Sequence, residues 1–249
     1  MHPPAILGIG AAVAAAATAT HAAPAISTYG PLRNRLMPRL AGEGRPDHVA
    51  LTFDGGPDPV STPYFLTLLQ KYDVRATFFL LGSMAERTPA LVREIADAGH
   101  EIAVRGWGHR PLVLRGPRGT HRDLRRTRDA IADLTGTAPR WFRPPSGIMT
   151  VGDHLAARRL GLTPVLWTSR GEDWTTRTTP ESIHHAVTAD LHGGGTILLH
   201  DCGSTSVPAA WQSTLGAMPH LLDHCATSGW EVGPLRDHGV RRGRREGAG

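Results

Sequence analysis

Apolar residues gather along this chain in two alternating patterns. Short runs rich in β-branched and aromatic residues read as strands at 48–53, 76–81, 101–104, 140–143, 163–167, 196–199 and 230–232. Between them, apolar positions recur with helical spacing. In 89–98, Leu91, Val92 and Ile95 share one face and Gly99 follows as a helix stop. Thr120 with Asp123 three residues on predicts a capping box ahead of Leu124, Ile131 and Leu134. Thr179 and Pro180 predict the N-cap and first position of a helix over 180–191. Strands alternating with helices predict parallel β/α units. About seven such units in roughly 190 residues predict an α/β fold, a distorted or incomplete (β/α) barrel. An open doubly wound sheet is the alternative. No GxGxxG follows the first strand, which removes the simplest dinucleotide-binding reading.

The patterning breaks down at both ends. Residues 1–26 read as a signal peptide or leader: a small-residue apolar run from Ala5 to Thr18, then small-residue cleavage sites between Thr20 and Ala25. The segment Met1-His2-Pro3-Pro4 carries no Lys or Arg, so an uncleaved weak anchor or an alanine-rich leader is the alternative. Export to the envelope or the exterior is expected, or a cytoplasmic location if the leader is no signal; any membrane contact is expected through the leader alone. Residues 27–46 read as a basic Gly/Pro-punctuated linker with one helical turn around Leu32 to Leu40, residues 47–236 as the single folded domain, and 237–249 as a basic Gly-rich tail. The 249 residues, 40% hydrophobic and 20% charged, suit one α/β domain with tails. The net charge of +5 comes almost wholly from arginine. Much of the excess is Arg241, Arg242, Arg244 and Arg245, a run without interleaved aromatic residues. No nucleic-acid partner is therefore expected. Cys202 and Cys225 are either a disulfide or two buried thiols.

The chemically able residues fall just past the predicted strands. Asp54 follows the first, Arg105 and His109 the third, Arg143 ends the fourth, Asp173-Trp174 follow the fifth and His200-Asp201 the sixth. In a β/α barrel these positions face one mouth, where active sites sit. Alone, each has a plainer reading as a cap or a structural histidine; five converging elements favour a site. His121, His154, His184, His185, His192, His220, His224 and His238 read as surface residues. Trp107, Trp141, Trp211 and Trp230 read as core rather than as a substrate platform.

These residues carry a resemblance. Thr52-Phe53-Asp54-Gly55-Gly56-Pro57 resembles the Thr-Phe-Asp-Asp-Gly-Pro motif of the polysaccharide deacetylases, the nodulation-protein-B-like family. Ala76-Thr77-Phe78-Phe79 is similar to that family's second strand, and Arg105 to His109 falls where it has His-x-x-x-His. Arg143-Pro144-Pro145-Ser146-Gly147, Asp173-Trp174 and Leu198-Leu199-His200-Asp201 resemble its later motifs, in family order. The resemblance implies a zinc-like divalent metal held by one Asp and two His, which polarises an acetamide carbonyl and a water. It implies Asp54 as base, His200 as acid, Arg143 holding Asp54, and Asp173 orienting His200. Pro144, Pro145, Trp174, Leu198 and Trp107 would bind an acetylated polysaccharide or oligosaccharide.

Two of the implied metal ligands are missing. The metal-binding Asp falls on Gly55 and the first His on Arg105, which leaves His109 alone. Glycine has no side-chain ligand and a guanidinium no lone pair to give. A divalent ion with one Asp carries a net charge of about +1, and so does arginine beside glycine. Arg105 is therefore expected to enter the space left by the metal, beside Asp54, and a bound metal is doubtful. Two readings follow: a hydrolase of the C–N bonds of N-acetylated sugars, weakened by these losses, or a metal-free carbohydrate-binding pseudoenzyme of the cell envelope.

Overall fold

The computed structural model describes residues 30–109, 115–175, 178–203 and 210–240. Two short helices, α1 (Gly30–Leu36) and α2 (Pro38–Ala41), precede the first strand, β1 (His48–Asp54). Then come α3 (Thr62–Lys71), β2 (Thr77–Leu81), α4 (Gly82–Arg87), α5 (Pro89–Asp97), β3 (Glu101–Gly106), α6 (Pro117–Thr135) and β4 (Trp141–Phe142). The second half runs α7 (Val151–Arg159), β5 (Thr163–Pro164), β6 (Ser169–Arg170), α8 (Pro180–Asp190), β7 (Thr196–His200), α9 (Ala210–Thr227) and β8 (Glu231–Gly233).

The strands form one sheet in the order β5-β4-β3-β2-β1-β7-β6, and β8 pairs with the first half of β1. Every pairing is parallel. This is the expected α/β distorted barrel. Parallel strands covered on both faces read as continuous apolar runs, and every residue of β1 and β2 is buried.

Strand parity then sorts the side chains. Val49, Leu51, Phe53, Phe78, Leu80, Val104, Phe142, Ile197 and Leu199 belong to the large core under the helices. Their neighbours Ala50, Phe79, Ala103 and Trp141 join Val165 and Leu235 in a second, smaller core inside the barrel. Successive side chains alternate between the faces of a strand. Asp54, Arg105, Arg143, Leu198 and His200 thus take the parity of the inner face. Full burial of each large apolar residue stabilises by about 1.5–3 kcal/mol, so a one-residue slip of β1 is strongly disfavoured.

The barrel is open between β5 and β6, and the expected strand over 163–167 is cut short there. Only Thr163 and Pro164 pair with β4. Beyond them, the carbonyls of Val165 and Leu166 accept from Arg143 Nε at 3.3 Å and Nη2 at 2.7 Å, and that of Trp167 from Arg33 Nη2 at 2.5 Å. Arginine side chains do there what a neighbouring strand would do. Residues 30–41 pack rather than dangle: Leu40 lies in the large core and its carbonyl accepts from Leu166 N at 2.6 Å.

Helix ends follow the sequence unevenly. Thr179 caps α8 in a reciprocal box with Ser182, and Gly99 takes φ +82° just past α5. The box expected at Thr120 does not form, because Pro117 starts α6 earlier, with Gly116 as N-cap. Asp123 instead accepts from Trp107 N at 2.7 Å and pairs with Arg115 at 2.5 Å. His238 corrects the surface reading: it is fully buried, with Nε2 3.0 Å from the carbonyls of Gly42 and Gly194 and Nδ1 2.8 Å from His48 Nδ1. Cys202 and Cys225 are both buried and do not form a disulfide. Among the described residues, no helix is long and apolar enough to cross a membrane. The leader over 1–26 and the arginines at 241–245 lie outside the described residues.

Candidate active site

The inner-face residues at the C-terminal ends of β1, β3, β4 and β7 meet at one mouth of the barrel. Asp54 closes β1 and is register partner of His200 at the end of β7. Arg143 Nη1 donates to Asp54 Oδ1 at 2.9 Å and to Thr52 Oγ1 at 2.8 Å. The same guanidinium lies 4.0 Å from the Phe79 ring centroid and is 0% exposed. Arg105 Nη1 bonds the other oxygen, Asp54 Oδ2, and its side chain is 4% exposed. Both carboxylate oxygens are thus engaged by guanidinium N–H groups.

Local backbone makes room for this. The β2–β3 register shifts between Leu80 and Leu81, with Leu80 opposite Val104 and Leu81 opposite Gly106, so Arg105 sits at a bulge. A bulge re-aims the side chain it carries. Gly55 has φ +100°, a region that disfavours any side chain. Burial first, then the nearby charge of Arg143, lowers the Arg105 guanidinium to about 9. That still leaves it charged at neutral pH, with Asp54 as counterion. Burial also lowers Arg143 well below the usual arginine range.

On the neighbouring strand β7, His200 is held twice by one carboxylate. Its Nδ1 lies 2.8 Å from Asp173 Oδ1, and its backbone N donates to Asp173 Oδ2 at 2.7 Å. Thr214 on α9 also donates to Asp173 Oδ2, at 2.9 Å. A carboxylate on Nδ1 fixes the ring's orientation and tautomer and leaves Nε2 for other partners. The Trp174 ring stands edge-on to this imidazole at 5.8 Å.

Over these groups lies a cavity of about 290 Å³ lined by Arg105, His109, Ser146, Gly147, Trp167, Arg170, Trp174, Leu198 and His200. Of the sequence candidates, this brings together Arg105, His109, Trp174, Leu198 and His200, with Asp54, Arg143 and Asp173 behind them. Pro144 and Pro145 are buried and do not line it. Trp107 is also elsewhere: the Arg126 guanidinium lies 3.3 Å from its ring centroid, and Gly82 abuts its other atoms. Larger grooves, such as one of about 800 Å³ between α3 and α5, carry none of this chemistry.

The described residues of the cleft offer a divalent metal no full set of ligands. Among the described residues, no three His, Cys, Asp or Glu side chains come together to hold one. Gly55 offers nothing, and Arg105 places a positive charge on Asp54. His109 lies at the rim. Desolvation of its ring, then the charges of Arg105 and His200, lowers its pKa to about 4. Asp58 is engaged locally, accepting from Val60 N at 2.8 Å.

Sequence reasoning passed over Arg33 and Arg170, and named Asp201 without giving it a role. Arg33 lies 5.2 Å from the Trp167 ring centroid, behind the cleft. Asp201 is 1% exposed; its Oδ2 accepts from Thr62 at 2.6 Å, and its Oδ1 has no partner among the described residues. Burial raises its pKa to about 6. Arg170 lines the cavity and pairs with Glu172 at 2.9 Å. Position next to His200 was the one available signal for Asp201; the others depend on contacts distant in sequence.

Comparison with known proteins agrees with the motif order. The model of the polysaccharide deacetylase family matches residues 41–165. The chain is 33% identical over 167 residues to the peptidoglycan-N-acetylglucosamine deacetylase PgdA of Listeria monocytogenes, covering 67% of this chain and 35% of that protein. It thus spans about a third of that relative's length. It is 38% identical over 168 residues to the chitooligosaccharide deacetylase of Sinorhizobium fredii, covering 67% of this chain and 77% of that one. Among solved structures, a CE4 family pseudoenzyme from Bacillus anthracis superposes with TM-score 0.71 at 25% identity, over 80% of this chain and 68% of that one. A family 4 acetyl xylan esterase from Clostridium thermocellum, in complex with cobalt, superposes with TM-score 0.67 at 30% identity, over 76% and 88%. By motif, fold and these matches, the chain belongs to the polysaccharide deacetylase family.

Proposed function

We propose that this chain recognises N-acetylated sugar polymers in its cleft and hydrolyses their acetamide C–N bonds slowly. The observation that carries this is the His200–Asp173 pair beside Asp54 and Arg143, at a cavity lined by His200, Trp167, Trp174 and Leu198. In this reading His200 protonates the leaving amine through Nε2, and Asp173 keeps its ring in place. Arg143 holds Asp54, the implied base. Arg105 stands where the family carries its metal and faces a developing oxyanion, which a guanidinium stabilises. It does not lower the pKa of a bound water as a metal does, so attack relies on Asp54. Trp174 and Leu198 contact the acetyl group. Export fits the leader and relatives that act on peptidoglycan.

The engagement of both Asp54 oxygens favours a second reading, a metal-free carbohydrate-binding pseudoenzyme. A variant of the Bacillus anthracis pseudoenzyme has restored enzymatic activity, so sites of this family are open to repair. Acetate release from acetylated chitooligosaccharides separates the readings. Slow release by the full chain, unchanged by chelator and lost in His200→Ala, supports hydrolysis. Sugar binding without acetate supports the pseudoenzyme. Release that a chelator abolishes contradicts both.

A further inference from the structure

One apolar wall of the cleft is fastened from outside the sheet. Trp167 lines the cavity and follows the point where β5 leaves β4. Its carbonyl accepts from a side chain, Arg33 Nη2, at 2.5 Å. The same guanidinium lies 5.2 Å from the indole centroid, within the range of a cation–π contact. Arg33 belongs to α1 and is 2% exposed. The neighbours of Trp167 are tied to two different elements. Leu166 N donates to the Leu40 carbonyl at 2.6 Å, and Thr168 N to that of Thr196 at 3.0 Å. At the far end of the ring, a Cβ on Gly147 would come within 2.4 Å of Trp167 Cη2. The indole is thus set between Gly147 at its tip and Arg33 at its base, with the Arg143 guanidinium 5.9 Å from its centroid. Arginine suits this place better than lysine, because one planar group bonds the carbonyl and meets the ring together. Leu40 anchors residues 30–41 to the large core and to Leu166 independently of Arg33. The family model begins its match at 41, so this contact comes from ahead of the matched residues.

We infer that Arg33 is a positioning residue for the cleft: it fixes the Trp167 indole as the surface on which a bound sugar ring packs. This rests on the reading of the cleft as a sugar site. Placement matters because a gap of about 0.5–1 Å between packed atoms forfeits about a quarter to a half of their attraction.

Calorimetric titration of the full chain with acetylated chitotetraose tests it in a double-mutant cycle. Trp167→Ala should weaken binding about tenfold or more. Arg33→Met removes the donor and the charge, and should weaken it about three- to tenfold. Arg33→Lys should recover part of that loss. In the Trp167→Ala background, Arg33→Met should change affinity by less than about twofold, because the two act as one unit. Unchanged affinity in Arg33→Met, or the same loss with and without the Trp167 indole, overturns the inference. Should Arg33→Met fail to fold, Arg33→Lys carries the same cycle with a smaller loss that must again depend on Trp167. If the native chain binds no chitotetraose, the sugar-cleft reading falls by itself. The hold of Arg33 on Trp167 is then read from the indole ¹H–¹⁵N signal that disappears in Trp167→Phe. Arg33→Met should shift that signal, and Arg93→Met, at an exposed arginine on α5, should not. A signal unmoved by Arg33→Met overturns the positioning role.

Discussion

Arg105 and Asp54 carry the most weight among single side chains. The pair was legible in the sequence, because two complementary changes fell on two implied ligand positions while Asp54, Arg143, Asp173 and His200 kept the family's residue types. Its consequence for stability follows from burial. Arg105→Met leaves Asp54 still bonded to Arg143 and should cost about 1–3 kcal/mol. Asp54→Asn leaves two buried guanidiniums without a counter-charge and should cost more, about 3–5 kcal/mol. Urea denaturation midpoints measure both, and the reverse ranking would contradict the described geometry. Asp201 gives a pH signature. Burial raises it from 3.8 to about 6, so the folded state holds a proton that the unfolded chain has released. Stability is then full below about pH 4 and declines as pH rises through 6, by roughly 3 kcal/mol for a shift of this size. His200 and Asp58 are the titratable groups that act on it. Asp201→Asn should flatten this decline in thermal melts between pH 4 and 7; an unchanged slope would assign it elsewhere.

Elements show where sequence reading stops. The inward parity of Asp54, Arg105, Arg143 and His200 follows from period-two strands ending at one mouth, and that was readable. The break after Pro164 was not, because what replaces the missing strand is Arg143 and Arg33 reaching from other elements. The start of α6 was misjudged because Thr120 and Asp123 imitate a box, while Pro117 carried the better signal. Helix α7 has a true reciprocal box, Thr150 with Asp153, in a segment with weak amphipathic patterning. Replacing the cap of α8, Thr179→Ala, should cost about 1 kcal/mol, and Thr120→Ala should show no capping loss because that residue is inside α6. Thermal melts of the two variants, compared for helix signal and midpoint, check this.

The whole molecule is tied shut at its lower end by His238. It joins the C-terminal segment to Gly42 before β1 and Gly194 before β7, against His48 of β1. Burial first, then His48, lowers the His238 pKa from 6.5 to about 4, and burial lowers His48 too. A depressed histidine favours folding above its unfolded pKa, and that contribution is lost as pH falls from about 6.5 toward 4. His238→Gln should remove part of this acid sensitivity, in the direction opposite to Asp201→Asn. No helical or strand periodicity marks 234–240, so only the fold reveals that His238 is core.

Repair of the metal position is a property of the entire mouth. Gly55→Asp must accept φ +100°, a strain of about 1–2 kcal/mol that bound metal has to offset. Zinc titration by calorimetry into the full chain, Gly55→Asp/Arg105→His, and the same double variant with His109→Ala is the most direct measurement. Arg105 standing in the metal's place predicts no His109-dependent zinc binding in the native chain, one-to-one binding in the double variant, and its loss with His109→Ala. Tight one-to-one binding by the native chain that His109→Ala abolishes would contradict it.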